Sequence, residues 1–291
     1  MDHLNNLKLA EKGAWISIIA YLVLSIIKLY IAYVGNSNAL RADGLNNVTD
    51  IIASLAVLIG LKIARKPPDS NHLYGHSRAE TIASLFAAFI MIAVGFQVVM
   101  DTFSKMIAQE AARPDMLTAW TALFAACIMF FVYFFNVRLA KKTNSSGLYA
   151  AAQDNRSDAL VSIGAFIGIM GAQFGIYWLD PLAGFIVGII ICWTAWSIFK
   201  DATHTLTDGI DEEQIEEIID IISKNQDVKE IADVKGRIHG NRLLIDITIL
   251  VDPNLNVEES HQITERIEKQ LMQHIDIWHA HIHIEPYYDK K

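Results

Sequence analysis

The stretch GLNNVTDIIASLAVLIGLKI, residues 44–63, decides how the chain is read. Its purely apolar part begins only at Ile51. That leaves it short of a bilayer core, which takes about 20 mostly apolar residues in a helix. To reach spanning length it must take in Asn46 and Asp50, which at a spacing of four share one helix face. The stretch LYAAAQDNRSDALVSIGAFIGIMGAQFG, residues 148–175, behaves the same way. Its apolar run 159–174 must extend back through Asp158 and Asp154, again four apart. Four more stretches, roughly 14–34, 81–100, 117–137 and 179–199, complete a set of six. The expectation is an all-α transmembrane domain of six helices, residues 1–208, followed by a second domain, residues 209–291.

Composition agrees with a membrane body and an aqueous tail. The 291 residues are 53% hydrophobic and 19% charged, which is apolar-rich for a soluble chain of this size. Residues 200–291 hold 20 acids and 10 bases, whereas the first 199 hold 12 acids and 14 bases. Cys127 and Cys192 both lie inside apolar runs and read as small buried hydrophobes, not as a disulfide framework or a thiolate cluster. The first apolar run is too long for a signal-peptide core, and no small-residue cleavage pattern follows it.

The bases set the orientation. Lys8 and Lys12 precede the first span, Arg65, Lys66 and Arg78 lie between the second and third, Arg138, Lys141 and Lys142 between the fourth and fifth, and Lys200 after the sixth. The opposite connections hold only Arg41, Lys105 and Arg113. The positive-inside rule then predicts a multi-pass protein of the cell membrane with both termini in the cytosol. Gly164, Gly168, Gly171 and Gly175 in span 5, with Gly184 and Gly188 in span 6, predict close helix packing.

From Asp211 the pattern changes. Ile215, Ile218, Ile219 and Ile222 follow helical spacing, and residues 229–238 read as a strand. Residues 242–251 alternate, with Ile245, Ile247, Ile249 and Val251 on one face. Ile263, Ile267 and Leu271 mark a second helix, and residues 277–285 alternate again with Trp278, Ala280, Ile282 and Ile284 inward. This order predicts a small cytosolic α+β, ferredoxin-like sandwich.

Three groups of side chains carry chemistry. Asn46, Asp50, Asp154 and Asp158 offer three carboxylates and one amide from two membrane helices, and such groups in a bilayer mark a transport path or proton relay. Arg156 and Lys28 are the bases that could pair with these acids instead, Lys28 also being placed to snorkel. Oxygen donors suit hard cations such as Mn2+, imidazole suits Zn2+, and the spans contain no histidine, so Mn2+ is favoured, with Zn2+, Fe2+ and Cd2+ open. Asp69, His72 and His76 form a second candidate metal group, in the loop between spans 2 and 3. In the last strand His279, His281, His283 and Glu285 share one face, and His261 and His239 are candidates to join them. The chain lacks a His-Glu-x-x-His pattern and a nucleophile-and-base pair, so an intramembrane metalloenzyme is disfavoured. The intramembrane carboxylates argue against a pure membrane metal sensor, and no nucleic-acid partner is expected.

At these residues the chain resembles the cation diffusion facilitator family over nearly its whole length. The resemblance rests on Ala42-Asp43-Gly44 leading into Asn46-x-x-x-Asp50, the Asp69…His72…Gly75-His76 loop, Asp154-x-x-x-Asp158, and the tail. It implies a homodimer in the lipid bilayer that moves divalent metal out of the cytosol in exchange for protons. It implies a transport site at Asn46, Asp50, Asp154 and Asp158, a loop site at Asp69, His72 and His76, and tail ligands at His261, His283 and Glu285. It further implies that Arg78 and Asp208 form an ion-pair interlock near the dimer hinge. Zinc-selective relatives have His-x-x-x-Asp in span 5, so the Asp-x-x-x-Asp here resembles the manganese-type branch. Asn46 stands where many members have Asp, which lowers the charge of the site.

Overall fold

The computed structural model describes residues 2–64, 66–108, 113–143, 146–239, 242–275 and 277–288; Arg65, one of the orienting bases, lies outside them. Six long helices come first: α1 (Asp2–Val34), α2 (Asn38–Ala64), α3 (Arg78–Ile107), α4 (Met116–Thr143), α5 (Ser146–Gln173) and α6 (Leu179–Leu206). Then follow α7 (Glu212–Ser223), β1 (Glu230–His239), β2 (Arg242–Val251), α8 (Val257–His274) and β3 (Ile277–Pro286). Among the described residues, stretches of α1, α3, α4 and α6 are long and apolar enough to cross a bilayer. α2 and α5, 27 and 28 residues long, carry the polar couples. The chain folds as two compact units, Met1–Val57 with Phe86–Ile198, and Leu58–Leu85 with Phe199–Lys291.

The first unit sorts its residues by size as well as polarity. Ala119, Ala122 and Ala126 of α4 and Ala159, Ala165 and Ala172 of α5 are buried. Trp15, Ile19, Phe86, Phe131, Ile167, Trp193 and Trp196 face outward. Lipid tails are as apolar as leucine, so burying a large apolar side chain gains little in a bilayer, and close backbone approach decides packing. Gly168 and Gly171 show this: a Cβ at either position would overlap Ala183 or Leu179 of α6. Gly184 and Gly188 meet α3 in the same way, through Thr102, Val98 and Val99, whereas Gly164 and Gly175 have open space around them. Cys127 lies on an outward face of α4 instead of being buried, and both cysteines are free. A thiol is apolar enough to face lipid as readily as core.

The start of α2 is held by a carboxylate from α6. Asp180 is buried and accepts from Ser37 Oγ at 2.6 Å, Asn38 N at 2.8 Å, Asn38 Nδ2 at 3.1 Å and Ala39 N at 3.3 Å. These backbone N–H groups have no partner inside their own helix, so Asp180 caps it from outside.

In the second unit, α7 and α8 cover one face of a sheet ordered β1-β2-β3. β1 and β2 pair antiparallel, and β2 and β3 pair parallel across the α8 crossover. The order α–β–β–α–β is a ferredoxin-like arrangement without its first strand. Ile218, Ile222, Ile245, Ile247, Ile249, Ile263, Ile267 and Leu271 fill the core. α8 opens with a capping box: Asn256 Oδ1 accepts from Glu259 N at 3.0 Å, and Glu259 Oε2 accepts from Asn256 N at 3.0 Å. The alternation expected for β3 slips at its start. Pairing shifts between Leu243 and Leu244, so that Leu243 faces Ile277 and Leu244 faces His279. This bulge turns Ile277 into the core and leaves Trp278 exposed, where simple alternation places Trp278 inside.

Candidate functional site

α2 and α5 bring three of the four intramembrane side chains into hydrogen-bond contact. Asn46 Nδ2 donates to Asp158 Oδ1 at 2.9 Å and to Asp50 Oδ2 at 3.3 Å. Both asparagine and Asp158 are buried, and Asp158 Oδ2 accepts from the hydroxyl of Tyr21 on α1 at 2.6 Å. Asp154, one turn before Asp158, is exposed and is not drawn into this network. The spacing of four residues explains each couple: it stacks the two side chains of one helix on one face. The amide at position 46 matters chemically. Its NH2 can satisfy two neighbouring carboxylates, and turning the amide over presents a carbonyl oxygen to a cation in their place.

Lys28 does not pair with these aspartates, nor does it snorkel. It is fully buried and donates to Asp43 Oδ1 at 2.8 Å, Asn47 Oδ1 at 2.7 Å and Ser162 Oγ at 3.0 Å. Arg156 is exposed and forms no ion pair with Asp154 or Asp158. Tyr21, Asp43, Asn47 and Ser162 escape a reading by acidic couples. Asp43 and Asn47 are themselves a couple four apart, and Ser162 is four beyond Asp158, so a search over all polar residues finds three of them. Tyr21 carries no such signal.

The loop group assembles. Among the described residues Asp69, His72 and His76 are the one set of three His, Cys, Asp or Glu side chains whose ligand atoms lie within 4.8 Å of one another. Asp69 Oδ1 accepts from Asn71 N at 2.9 Å and His72 N at 2.8 Å and faces His72 Nδ1 at 3.1 Å. Asp69 Oδ2 lies 3.5 Å from His76 Nε2. The two backbone donors hold the Asp69 carboxyl below the usual carboxylate range. Gly75, at φ +81°, supplies the left-handed residue that brings His76 back over His72.

The tail group does not assemble within one chain. His279, His281, His283 and Glu285 line the exposed face of β3, with His283 Nε2 3.5 Å from Glu285 and His281 Nδ1 3.8 Å from Asp246. His261 is exposed on α8 and faces Glu265 at 3.5 Å. It starts a helix that leaves from the end of β2, and β3 runs parallel to β2, so His261 and Glu285 lie at the same end of the sandwich in different layers. His239 lies at the other end. It closes β1 beside the start of β3, its ring stacked on Trp278 at 6.3 Å and 6.0 Å from Tyr74. Six residues of strand, roughly 20 Å, separate that end from His283. Within one chain His239 therefore stands apart from His261, His283 and Glu285, because parallel pairing of β2 and β3 puts it at the opposite end of the sheet.

Arg78 and Asp208 are paired, Nη2 to Oδ1 at 2.5 Å. Asp208 follows α6 at φ +60°, with Gly209 N bonded to His204 O at 2.8 Å. This is a left-handed helix ending, a position aspartate tolerates, and it turns the carboxylate out of the helix line.

A family model described as the cation efflux transmembrane domain matches residues 14–207, and one described as the cation efflux protein cytoplasmic domain matches residues 210–287. The chain belongs to the cation efflux family. Similar cation efflux proteins include the manganese efflux system protein MneS of Bacillus subtilis (strain 168), 50% identical over 98% of this chain and 99% of its own. The uncharacterized transporter YdbO of the same organism is 48% identical over the same shares, and the manganese efflux system protein MneP is 29% identical over 97% of this chain and 98% of its own. The cation efflux family is one of membrane transporters, not enzymes, and metal cations are what its members carry.

Proposed function

We propose that this cation efflux protein is a homodimeric Mn2+/H+ antiporter of the cell membrane, with both termini in the cytosol. Residues 1–208 form the transport domain and residues 209–291 a metal-sensing, dimerising domain. The observation that carries the reading is the Asn46 amide bridging Asp50 and Asp158 between two membrane helices. Two of the similar proteins are named for manganese efflux, which supports the choice of ion.

Cytosolic Mn2+ reaches the site in an inward-open state. Asp50, Asp154 and Asp158 supply charge, and Asn46 turns over to supply a neutral oxygen. Ligand carboxylates must be ionised, so binding releases whatever protons they hold. Reorientation then opens the site outward, and external protons compete the metal off. Asp69, His72 and His76 bind metal on the cytosolic side. His261, His283 and Glu285, split between layers within one chain, are completed by metal shared between two tails, and Arg78 with Asp208 fastens the hinge. Metal binding to the tails shifts the transport equilibrium only through different affinities in the two states.

The test is metal uptake into proteoliposomes under an imposed proton gradient, with Mn2+, Zn2+, Fe2+ and Cd2+ and with Asp158→Ala as control. Proton-driven Mn2+ uptake lost in the variant is expected. Zn2+ uptake without Mn2+ uptake overturns the selectivity, and normal uptake by Asp158→Ala overturns the site.

A further inference from the structure

Lys28 and Asp43 are both fully buried within the membrane-spanning bundle, which is the costliest place to keep a pair of charges. Buried ion pairs seldom stabilise a fold more than apolar side chains of the same size, so stability alone does not account for this one. Its geometry does. Lys28 comes from α1, and its three hydrogen bonds reach both helices that carry the candidate ligands: Asp43 and Asn47 on α2, Ser162 on α5. Asn47 is the chain neighbour of Asn46. Ser162 stands one turn, about 6 Å, beyond Asp158. Ser162 Oγ closes the ring by donating to Asp43 Oδ1 at 3.1 Å. Behind the cluster Gly44 lets α1 approach closely, since a Cβ there would stand 3.0 Å from Leu29 and 3.2 Å from the Lys28 Cβ.

We propose that Lys28 is a positioning and specificity-determining residue: its ties to Asp43, Asn47 and Ser162 set the gap between the α2 ligands and the α5 ligands, and hence which divalent cation fits. The inference rests on the transport reading above. The lysine touches no cation itself. It holds the spacing as a rigid cross-piece one turn from the site, as outer partners of a metal site orient its ligands. Three bonds to one ammonium group resist both approach and separation of the helices, whereas an apolar contact there would slide.

The experiment compares uptake of Mn2+, Zn2+ and Cd2+ by the full-length protein, Lys28→Met/Asp43→Asn, and Ser162→Ala in proteoliposomes. The double variant removes both charges together, so no lone buried charge remains to prevent folding. Ser162→Ala removes only the α5 leg. The expected result is a flattening of the Mn2+ to Zn2+ ratio of kcat/KM by about tenfold in the double variant, carried by KM and not kcat. Ser162→Ala should move the ratio the same way by a smaller factor, and it decides the matter if the double variant fails to fold. Unchanged ratios overturn the assignment, and so does an equal loss for every metal, which is the mark of a merely structural pair. A parent protein that moves no metal refutes the exporter reading; a transporting parent whose variants keep its ratio refutes only the role of Lys28.

Discussion

Replacing Tyr21 by phenylalanine tests which oxygen of Asp158 meets the cation. The Tyr21 hydroxyl donates to Asp158 Oδ2 at 2.6 Å, and Asn46 Nδ2 donates to Oδ1 at 2.9 Å. A cation bound by the Asn46 carbonyl requires the amide to turn, and that turn frees Oδ1 while leaving Oδ2 with Tyr21. The tyrosine then acts as an outer partner that fixes the carboxylate plane in both states. A hydrogen bond to a charged acceptor contributes about 1.5–3 kcal/mol, and part of that becomes orientation of the ligand. Losing it should weaken Mn2+ binding by roughly 1–2 kcal/mol, about five- to thirtyfold in Kd. Calorimetric titration of detergent-solubilised protein measures this directly, and circular dichroism checks that the variant is folded. An unchanged or tighter Kd refutes the reasoning. It would mean that the metal takes Oδ2 and competes with the tyrosine, so that removing the hydroxyl destabilises only the empty site.

Three further outcomes follow from geometry elsewhere. Asp180→Ala removes four hydrogen bonds at the start of α2, and with cap losses of about 0.5–2 kcal/mol and a charged side-chain bond of about 1.5–3 kcal/mol it should cost roughly 3 kcal/mol in denaturant unfolding; a loss below about 1 kcal/mol refutes the external cap. Burial first, and the Arg78 guanidinium second, hold His239 below its ordinary value. The folded state therefore binds fewer protons there, and that contribution to stability falls as pH drops through the ordinary histidine range toward the folded value. Arg78→Ala should raise the His239 midpoint in an NMR titration, and a fall would contradict the assigned cause. Asp69 is held low by the Asn71 and His72 amides, so the turn it ties keeps its carboxylate at pH 5 and loses it only on further acidification. Protection of those two amides from hydrogen exchange, taken relative to the intrinsic rate at each pH, should be lost only below the ordinary carboxylate range; protection already lost within that range, or unchanged on full protonation, would show that the carboxylate does not hold them.

Element order and the number of long helices were legible because run length and period are local properties. The strand at 242–251 and the couples at 46/50 and 154/158 could be read from spacing alone. What spacing does not carry is the partner on another element. Lys28 is one residue on α1, and nothing near it in sequence announces that Asp43, and not Asp50 or Asp158, takes its charge. The same holds for Tyr21. Asp154 is placed on the right helix by its spacing, yet its exposure depends on how α5 packs. His239 illustrates a third case: alternation places it at a strand end, but only strand order and direction reveal which end. The bulge at Trp278 inverts two residues for the same reason, being a property of the pairing and not of either strand.

The amide at position 46 has a consequence for turnover. On the proposed antiport cycle the carboxylates return carrying protons in place of metal, and polar groups left without partners on that stroke would be costly in a medium of low polarity. Here the asparagine NH2 donates to Asp50 and to Asp158, so one neutral group joins oxygens of both helices without adding charge. A cation entering between those carboxylates has to displace the amide, so the contact that joins the two helices is the one the cargo must break.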